Sequence, residues 1–525
     1  MDAVHDGPSR GAGAVERAKL MYRRIPVAPM ALSVDGIDAI IEAPLDLGAA
    51  LGELLVVELD SGERWVVQLR DLAIVEREAA EIDLAGDDEL GPIRVRPLRR
   101  TLRGEAAILG RLDGGFTPGT GPVFGESPLR RATAEETRAV FGAGGSAGAT
   151  GLALGDVLGQ DGVAAPLVAK GFARHTFLCG QSGSGKTYTT GVLLEELLTG
   201  TDLPIVVLDP NSDYVRIAEL AGEVDPAVGE HYVGRASDLI VARGRGAGGE
   251  LLASHVSDLP LGVQAGMLDL DPIDDLGDFA ALRRLTASLS ALFSAAELTE
   301  AAEADGTDAG LRLAQRLRNL DVPDWGLWCR EGEGSLVHTG VVDHRGVIID
   351  LGSVATPREV ALASLVVLQV LWNRRHERRP RLIVIDEAHN LFPTDAHDAV
   401  GRALVELGVR IAGEGRKFGL HLLLCTQRPA KLHPNVLSQC DNLVMLRVNS
   451  RTDVDELAAV FSHVPEGMIR RAPSLRQGEV LVAGPIAPIP RYLRTRRRLS
   501  AEGGADVSTS WATLADQAAN PITLT

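Results

Sequence analysis

The octapeptide Gly180-Gln181-Ser182-Gly183-Ser184-Gly185-Lys186-Thr187 has the spacing G-x-x-x-x-G-K-T, and both of its flanks are patterned. Before it, Thr176-Phe177-Leu178-Cys179 reads as a buried strand. After it, Leu193/Leu197 and Leu194/Leu198 pair at i,i+4 and read as an amphipathic helix. A strand that feeds a helix through such a loop commits the chain to an α/β fold with a phosphate-binding P-loop. The glycines let backbone amides curl around phosphate oxygens, and the helix N-terminus adds a positive dipole. Lys186 reaches the β- and γ-phosphates, and Thr187 offers an oxygen to Mg2+. Tyr188 continues the cradle. The competing reading, a Gly-rich turn with no ligand, loses its force once strand and helix are both in place.

Four further apolar runs read as parallel strands covered on both faces: Ile205–Leu208, Val347–Ile349, Leu382–Ile385 and Leu420–Cys425. Three of them end in chemistry. Leu382-Ile383-Val384-Ile385 runs into Asp386 and Glu387; Asp386 suits the shell of a magnesium ion, and Glu387, pointing differently, suits a general base on the attacking water. Ile205–Leu208 runs into Asp209-Pro210-Asn211-Ser212-Asp213-Tyr214. On residue types alone this is a solvent-facing turn, but beyond a strand's carboxyl end Asp209 and Asp213 would lie beside the phosphates. Leu420–Cys425 runs into Thr426-Gln427-Arg428-Pro429, where Gln427 would orient water or report loss of phosphate. The preceding Gly413-Glu414-Gly415-Arg416-Lys417-Phe418-Gly419 exposes Arg416, either a surface charge or an arginine finger reaching a neighbouring subunit. Arg174 is a further candidate for contacting nucleotide or a neighbour. His389 reads as a hydrogen-bonding partner in the site, and Arg496-Arg497-Arg498 as a solvated tail rather than a nucleotide-facing brace or a DNA contact.

Residues 1–28 read as a flexible arm. Residues 29–146 alternate in short segments, among them 54–59 and 65–69 about Asp60-Ser61-Gly62-Glu63, and read as a small β-barrel. Beyond the Gly/Ala stretch Gly142–Gly148, the core divides into 147–250 and 337–500 around a helical insertion, 251–336, with a tail from 501 to 525. In the insertion Leu282, Leu285, Leu289 and Leu292 share one helical face, and Leu313, Leu317 and Leu320 another, with Asp305–Asp308 as the break.

Among 525 residues the net charge is −18, which argues against a surface that coats nucleic acid, because nonspecific affinity comes from clustered Lys and Arg. A local channel needs few arginines, and Arg235, Arg243 and Arg245 form one Gly-flanked candidate. The four cysteines, Cys179, Cys329, Cys425 and Cys440, lack C-x-x-C spacing and read as buried thiols. No run is apolar enough for a membrane span, and a cytoplasmic protein is expected.

Taken together, the phosphate loop, Asp-Pro-x-x-Asp-Tyr, Ile-Asp-Glu-Ala-His-Asn, Glu-Gly-Arg-Lys-Phe-Gly, Thr-Gln-Arg-Pro and Leu437-Ser438-Gln439-Cys440 resemble the HerA family of hexameric DNA-translocating ATPases over roughly residues 165 to 490. The resemblance implies a RecA-like core of the FtsK/HerA superfamily, a homo-hexameric ring threading duplex DNA, ATP and Mg2+ as ligands, and a nuclease or other effector as partner in DNA end processing or anti-phage defence. It assigns Lys186 and Thr187 to the phosphate loop, Asp386 and Glu387 to the second motif, Gln427 to the sensor and Arg416 to the finger. Asp213, a shorter carboxylate, stands where the family often has Glu. Two alternatives stay open: a peripheral conjugation or secretion motor, and a ring that scaffolds an effector with nucleotide as assembly switch.

Overall fold

The computed structural model describes residues 28–78, 82–84, 93–95, 98–142, 151–330, 332–335 and 344–504. They divide into two compact units, one of residues up to 168 with 447–494, the other of 169–446 with the segment from 495 onward. The expected arm, nearly all of the Gly/Ala stretch and the tail beyond 504 lie outside the described residues.

The first unit is built on β1 (Met30–Ser33), β2 (Asp38–Ala43), β3 (Leu54–Glu58), β4 (Arg64–Glu78), the short pair β5 (Ile82–Leu84) and β6 (Ile93–Val95), β7 (Leu98–Leu112), β8 (Phe116–Pro118) and β9 (Phe124–Arg131). In the order β2-β1-β9-β3-β4-β7 the strands are antiparallel, and β7 pairs back onto β2, closing a six-stranded barrel with β8 appended. The alternation that reads as barrel in the sequence fills it: Ala39, Ile41 and Ala43 of β2, Leu55 and Val57 of β3, and Val67 and Leu69 of β4 all point into one core. The expected hairpin is β3–β4, with Val56 opposite Val66 and Leu59 N–H donating to the Glu63 carbonyl at 2.9 Å. Helix α1 (Ala134–Gly142) and the short strands β10 (Gly151–Leu152), β11 (Gly155–Val157) and β12 (Leu167–Val168) follow.

In the second unit β13 (His175–Cys179), β14 (Ile205–Asp209), β15 (Leu239–Arg243), β16 (Glu250–Leu251), β17 (Gly346–Asp350), β18 (Arg381–Ile385), β19 (Leu420–Thr426) and β20 (Cys440–Met445) lie in the order β20-β13-β19-β18-β14-β17-β15-β16, every neighbour parallel. The five apolar runs named from sequence are β13, β14, β17, β18 and β19, each wholly buried. The pairing of β18 with both β14 and β19 brings the acidic ends of β14 and β18 and the Gln end of β19 to one rim of the sheet.

Between β16 and β17 the chain forms helices Leu261–Met267, Leu276–Ser288, Ala295–Ala304 and Asp308–Asn319. The break at Asp305 to Asp308 is there, with Gly306 in the left-handed region and Thr307 capping the last helix through its side chain on Gly310 N–H. Leu313 and Leu317 are fully buried, as are Leu282 and, nearly so, Leu285. The first expected face is too long, however. Its helix ends at Ser288, and Leu292 is 61% exposed, since Ser288 and Ser290 hydroxyls bond to backbone carbonyls and end the periodicity.

The chain then returns to the first unit through helices Arg451–Val460 and Glu466–Arg470 and the hairpin β21 (Glu479–Gly484) and β22 (Ala487–Thr495). Within that unit Gln68 Nε2 donates to the Pro490 carbonyl at 2.6 Å and the Gly52 carbonyl at 3.0 Å, joining barrel and hairpin. Among the described residues no helix is long and apolar enough to cross a membrane.

His175, at the start of β13, is fully buried and uses both ring nitrogens: Nδ1 accepts from Leu422 N–H at 2.9 Å, and Nε2 lies 2.9 Å from the Ala412 carbonyl. This fixes the neutral tautomer with its proton on Nε2, and burial pushes the pKa down to about 4. A depressed histidine stabilises the fold fully above its unfolded pKa near 6.5, and that contribution is lost as pH falls toward 4. At roughly 1.4 kcal/mol per pH unit of difference, about 3 kcal/mol is at stake. The expected result is a denaturation midpoint that drops between about pH 6.5 and 4. His175→Gln, measured by urea titration across that range, removes most of the slope.

Candidate nucleotide site

The loop 180–187 leaves β13 and opens helix α2 (Lys186–Gly200). Gly183 and Gly185 hold φ of 73° and 96°, the left-handed region that an amide cradle requires and that favours glycine. At Gly180 a Cβ would stand 2.6 Å from Ser184 Oγ and 2.8 Å from Leu446 Cβ, so packing also selects glycine there. Ser184 Oγ is buried without a hydrogen bond among the described residues. Gln181 closes the loop by accepting from Ser184 N–H at 3.1 Å, and Ser182 is exposed at its tip.

Lys186 is only 5% exposed, and its Nζ bonds Asp386 Oδ1 and lies 3.1 Å from Glu387 Oε1. Burial by itself lowers an ammonium's pKa, yet the two carboxylates hold this one above the usual lysine range. Asp386, fully buried, also receives the Tyr214 hydroxyl at 3.4 Å. Glu387 sits two residues past β18 with φ 45° and ψ 46°, a conformation that costs a non-glycine residue energy. Its Oε1 accepts from Gln427 Nε2 at 2.7 Å. Its Oε2 lies 3.3 Å from His389 Nδ1, a nitrogen that is 2.9 Å from the Thr426 hydroxyl. Burial lowers the His389 pKa, and Glu387 Oε2 has no hydrogen bond among the described residues. His389 is thus the site's hydrogen-bonding neighbour that its residue type suggests.

Asp213 Oδ2 comes within 3.5 Å of Thr187 Oγ1, which puts it at the helix start beside the loop; burial, then the charge of Asp386, raises its pKa. Asp209 does something else. Its carboxylate accepts from Asn211, Asp213 and Tyr214 N–H groups at 3.3, 3.0 and 2.8 Å, so it shapes the turn that carries Asp213 and Tyr214. Burial nonetheless pushes its pKa up to about 7.

Three readings need correction. Arg174 cannot contact a nucleotide on its own loop, because it precedes β13 and the five-residue strand, roughly 17 Å at about 3.3 Å per residue, lies between them. It pairs with Asp441 at 3.4 Å, and Arg416 pairs with the same carboxylate oxygen at 2.6 Å, at the rim of the sheet opposite the phosphate loop. The proposed channel arginines are committed inside the chain: Arg235 to Leu198 and Thr201 carbonyls and Asp202, Arg243 to Asp350, and Arg245 in a fork with Glu333. The Arg496–Arg498 run is no solvated tail. Arg496 pairs with Glu195 and Glu196, and Arg498 is 3% exposed with its guanidinium where a Cβ on Gly191 would be 2.5 Å away.

Glu195 organises this segment. Fully buried on α2, it accepts from Leu499 and Ser500 N–H and the Ser500 hydroxyl at 2.9, 2.7 and 2.8 Å. Arg498 N–H donates to the Tyr188 hydroxyl at 2.6 Å, so Tyr188 serves this strap, and Gly503 N–H reaches the Asp213 carbonyl at 3.0 Å. Removing one partner of a buried ion pair costs about 3–5 kcal/mol. Glu195→Ala is therefore expected to lower the stability of this unit by that amount, read as a shift in the urea midpoint followed by a nucleotide-binding signal. Tyr214, Glu195 and Asp441 are the residues sequence reasoning left without a role; only Tyr214, beside Asp213, lay in a quoted motif.

The family described as the central domain of the helicase HerA matches residues 152–243. Over these residues the chain is similar to that domain. The chain is 35% identical over 128 residues to a probable helicase of Methanocaldococcus jannaschii, covering 24% of each chain. It is 30% identical over 151 residues to that organism's probable DNA double-strand break repair helicase HerA, covering 29% of each. The DNA double-strand break repair helicase HerA of Sulfurisphaera tokodaii is 27% identical over 167 residues, 30% of this chain and 33% of that one. These alignments span a quarter to a third of the relatives' own length. Among solved structures, VirB4 of Thermoanaerobacter pseudethanolicus aligns at 15% identity with a TM-score of 0.47, over 66% of this chain and 96% of that one.

Proposed function

We propose that this protein is an ATP-driven DNA translocase or helicase of HerA type, with a RecA-like core interrupted by the helices of residues 251–336. The observation that carries the reading is the convergence, at one rim of a parallel sheet, of a buried lysine on two carboxylates with a glutamine on the second. A triphosphate entering the loop competes with Asp386 and Glu387 for the Lys186 ammonium. Glu387, released on that side, keeps Gln427 on Oε1 and offers Oε2 to a water as base. Gln427 then senses the γ-phosphate through Glu387.

The donor set fits Mg2+ carried on the phosphates: Thr187 and Asp386 would hold it, with Asp213 against Thr187. When bound, the ion neutralises charge on the β- and γ-phosphates.

Arg416 and Arg174, at the far rim, have no access to their own phosphate loop. In a homo-hexameric ring that rim would face a neighbour's nucleotide, and release from Asp441 would free both guanidiniums to cross the boundary. A nuclease or other effector working with such a ring, in end processing or defence, completes the proposal.

The test is ATP hydrolysis by purified protein with and without linear duplex DNA, with mass from light scattering on the same samples. A particle of six 55.6 kDa chains, about 330 kDa, whose turnover rises with DNA is the expected result. A hexamer indifferent to DNA at about 50 mM salt would replace the motor with a scaffold or secretion role.

A further inference from the structure

In the first unit a cavity of about 150 Å³ opens between the segment 50–54, helix α1, residues 157–160 and strand β22. Arg491 in its wall is 3% exposed, yet no carboxylate pairs with it among the described residues. Nη2 donates to the Pro166 carbonyl at 2.8 Å, the guanidinium carbon stands 4.8 Å over the Phe141 ring, and Nε has no hydrogen-bond partner. A second guanidinium, Arg471, lines the same cavity; it stacks 4.9 Å over the Tyr492 ring and gives one weak hydrogen bond, 3.3 Å, to the Leu51 carbonyl. The acid in the wall, Glu53, is already committed, to Arg131 at 2.6 Å and to Ala50 N–H at 3.0 Å.

We propose that Arg491, flanked by Arg471, forms a recognition pocket for one small oxyanion of the size of phosphate, free or as the terminal group of a larger molecule. A buried guanidinium with neither a counter-charge nor a full set of acceptors is costly to maintain. Burial alone pushes its pKa down to about 10, and nothing in the wall opposes that. The planar fork of an arginine suits an oxyanion, and a second cation lining the same cavity supplies the remaining charge. The volume admits a phosphate or sulfate but not a nucleotide, so the site is distinct in kind from the loop at residues 180–187.

The test uses the full chain carrying Lys186→Ala, which weakens the phosphate loop's own affinity for the ion. Inorganic phosphate is titrated by calorimetry at low salt, and a 5′-phosphorylated oligonucleotide is compared with its 5′-hydroxyl twin. The expected result is a single saturable phosphate site whose affinity falls at least tenfold with Arg491→Lys, which keeps the charge and loses the fork, and with Arg471→Gln. Preference for the phosphorylated oligonucleotide, lost with Arg491→Lys, would identify the group as a terminal phosphate; free-ion binding without that preference would identify phosphate itself. No saturable binding, or binding unchanged in both variants while their melting curves show them folded, overturns the proposal.

Discussion

Glu387→Gln is expected to lower steady-state ATP turnover about a thousandfold while nucleotide binding stays within a few-fold of wild type, since a positioned general base contributes roughly 10² to 10⁴ in rate. The geometry makes the substitution a clean one. Gln is isosteric, so its Oε1 can still accept from Gln427, and the left-handed backbone that aims the residue is unchanged. What is lost is the carboxylate beside Lys186 and an Oε2 able to take a proton. Rapid-quench single turnovers measure the rate, and fluorescent nucleotide titration the affinity. A turnover within tenfold of wild type would assign the base elsewhere. Asp213, on the other side of the loop, would be the next residue to examine.

Arg416→Ala is expected to be nearly as damaging, because an arginine finger contributes about 10³ to 10⁵ in kcat, and to be damaging in trans. Neither Arg416→Ala nor Glu387→Gln alone should turn over, but rings mixed from the two contain boundaries with an intact Glu387 on one side and an intact Arg416 on the other. Those boundaries restore activity, with a yield that follows the mixing ratio. If Arg416 merely braces Asp441 within its own chain, mixing restores nothing, and Asp441→Asn reproduces the Arg416→Ala defect. If the finger reading holds, Asp441→Asn frees the guanidinium and leaves turnover intact.

Much of this site was legible in the residues because its parts are local. The G-x-x-x-x-G-K-T loop is eight consecutive residues, and Asp386-Glu387 ends an unbroken apolar run, so spacing and strand pattern together give their positions. The barrel was legible for a similar reason: alternation along each strand survives whatever the strands pair with. The strands β15 and β20 were not named, being short runs without a chemical landmark, and the face expected from Leu282 to Leu292 ended early because serine side chains capped the helix.

Charge partners were the part that sequence could not supply. Arg243 and Asp350, Arg174 and Asp441, and Arg496 and Glu195 are each separated by a hundred residues or more, and nothing in a lone arginine records which carboxylate the fold will place beside it. The sequence by itself determined the elements, the phosphate loop and the carboxylates at the strand ends, because backbone propensity and burial act over a few residues. Only the tertiary structure decided that Asp209 shapes a turn, that Arg496 and Arg498 strap the C-terminal segment onto Glu195 of α2, and that Arg416 and Arg174 stand at the rim away from the loop at residues 180–187. The order of strands in a sheet is settled by packing between distant segments, and it is that order which fixes the rim at which each side chain stands.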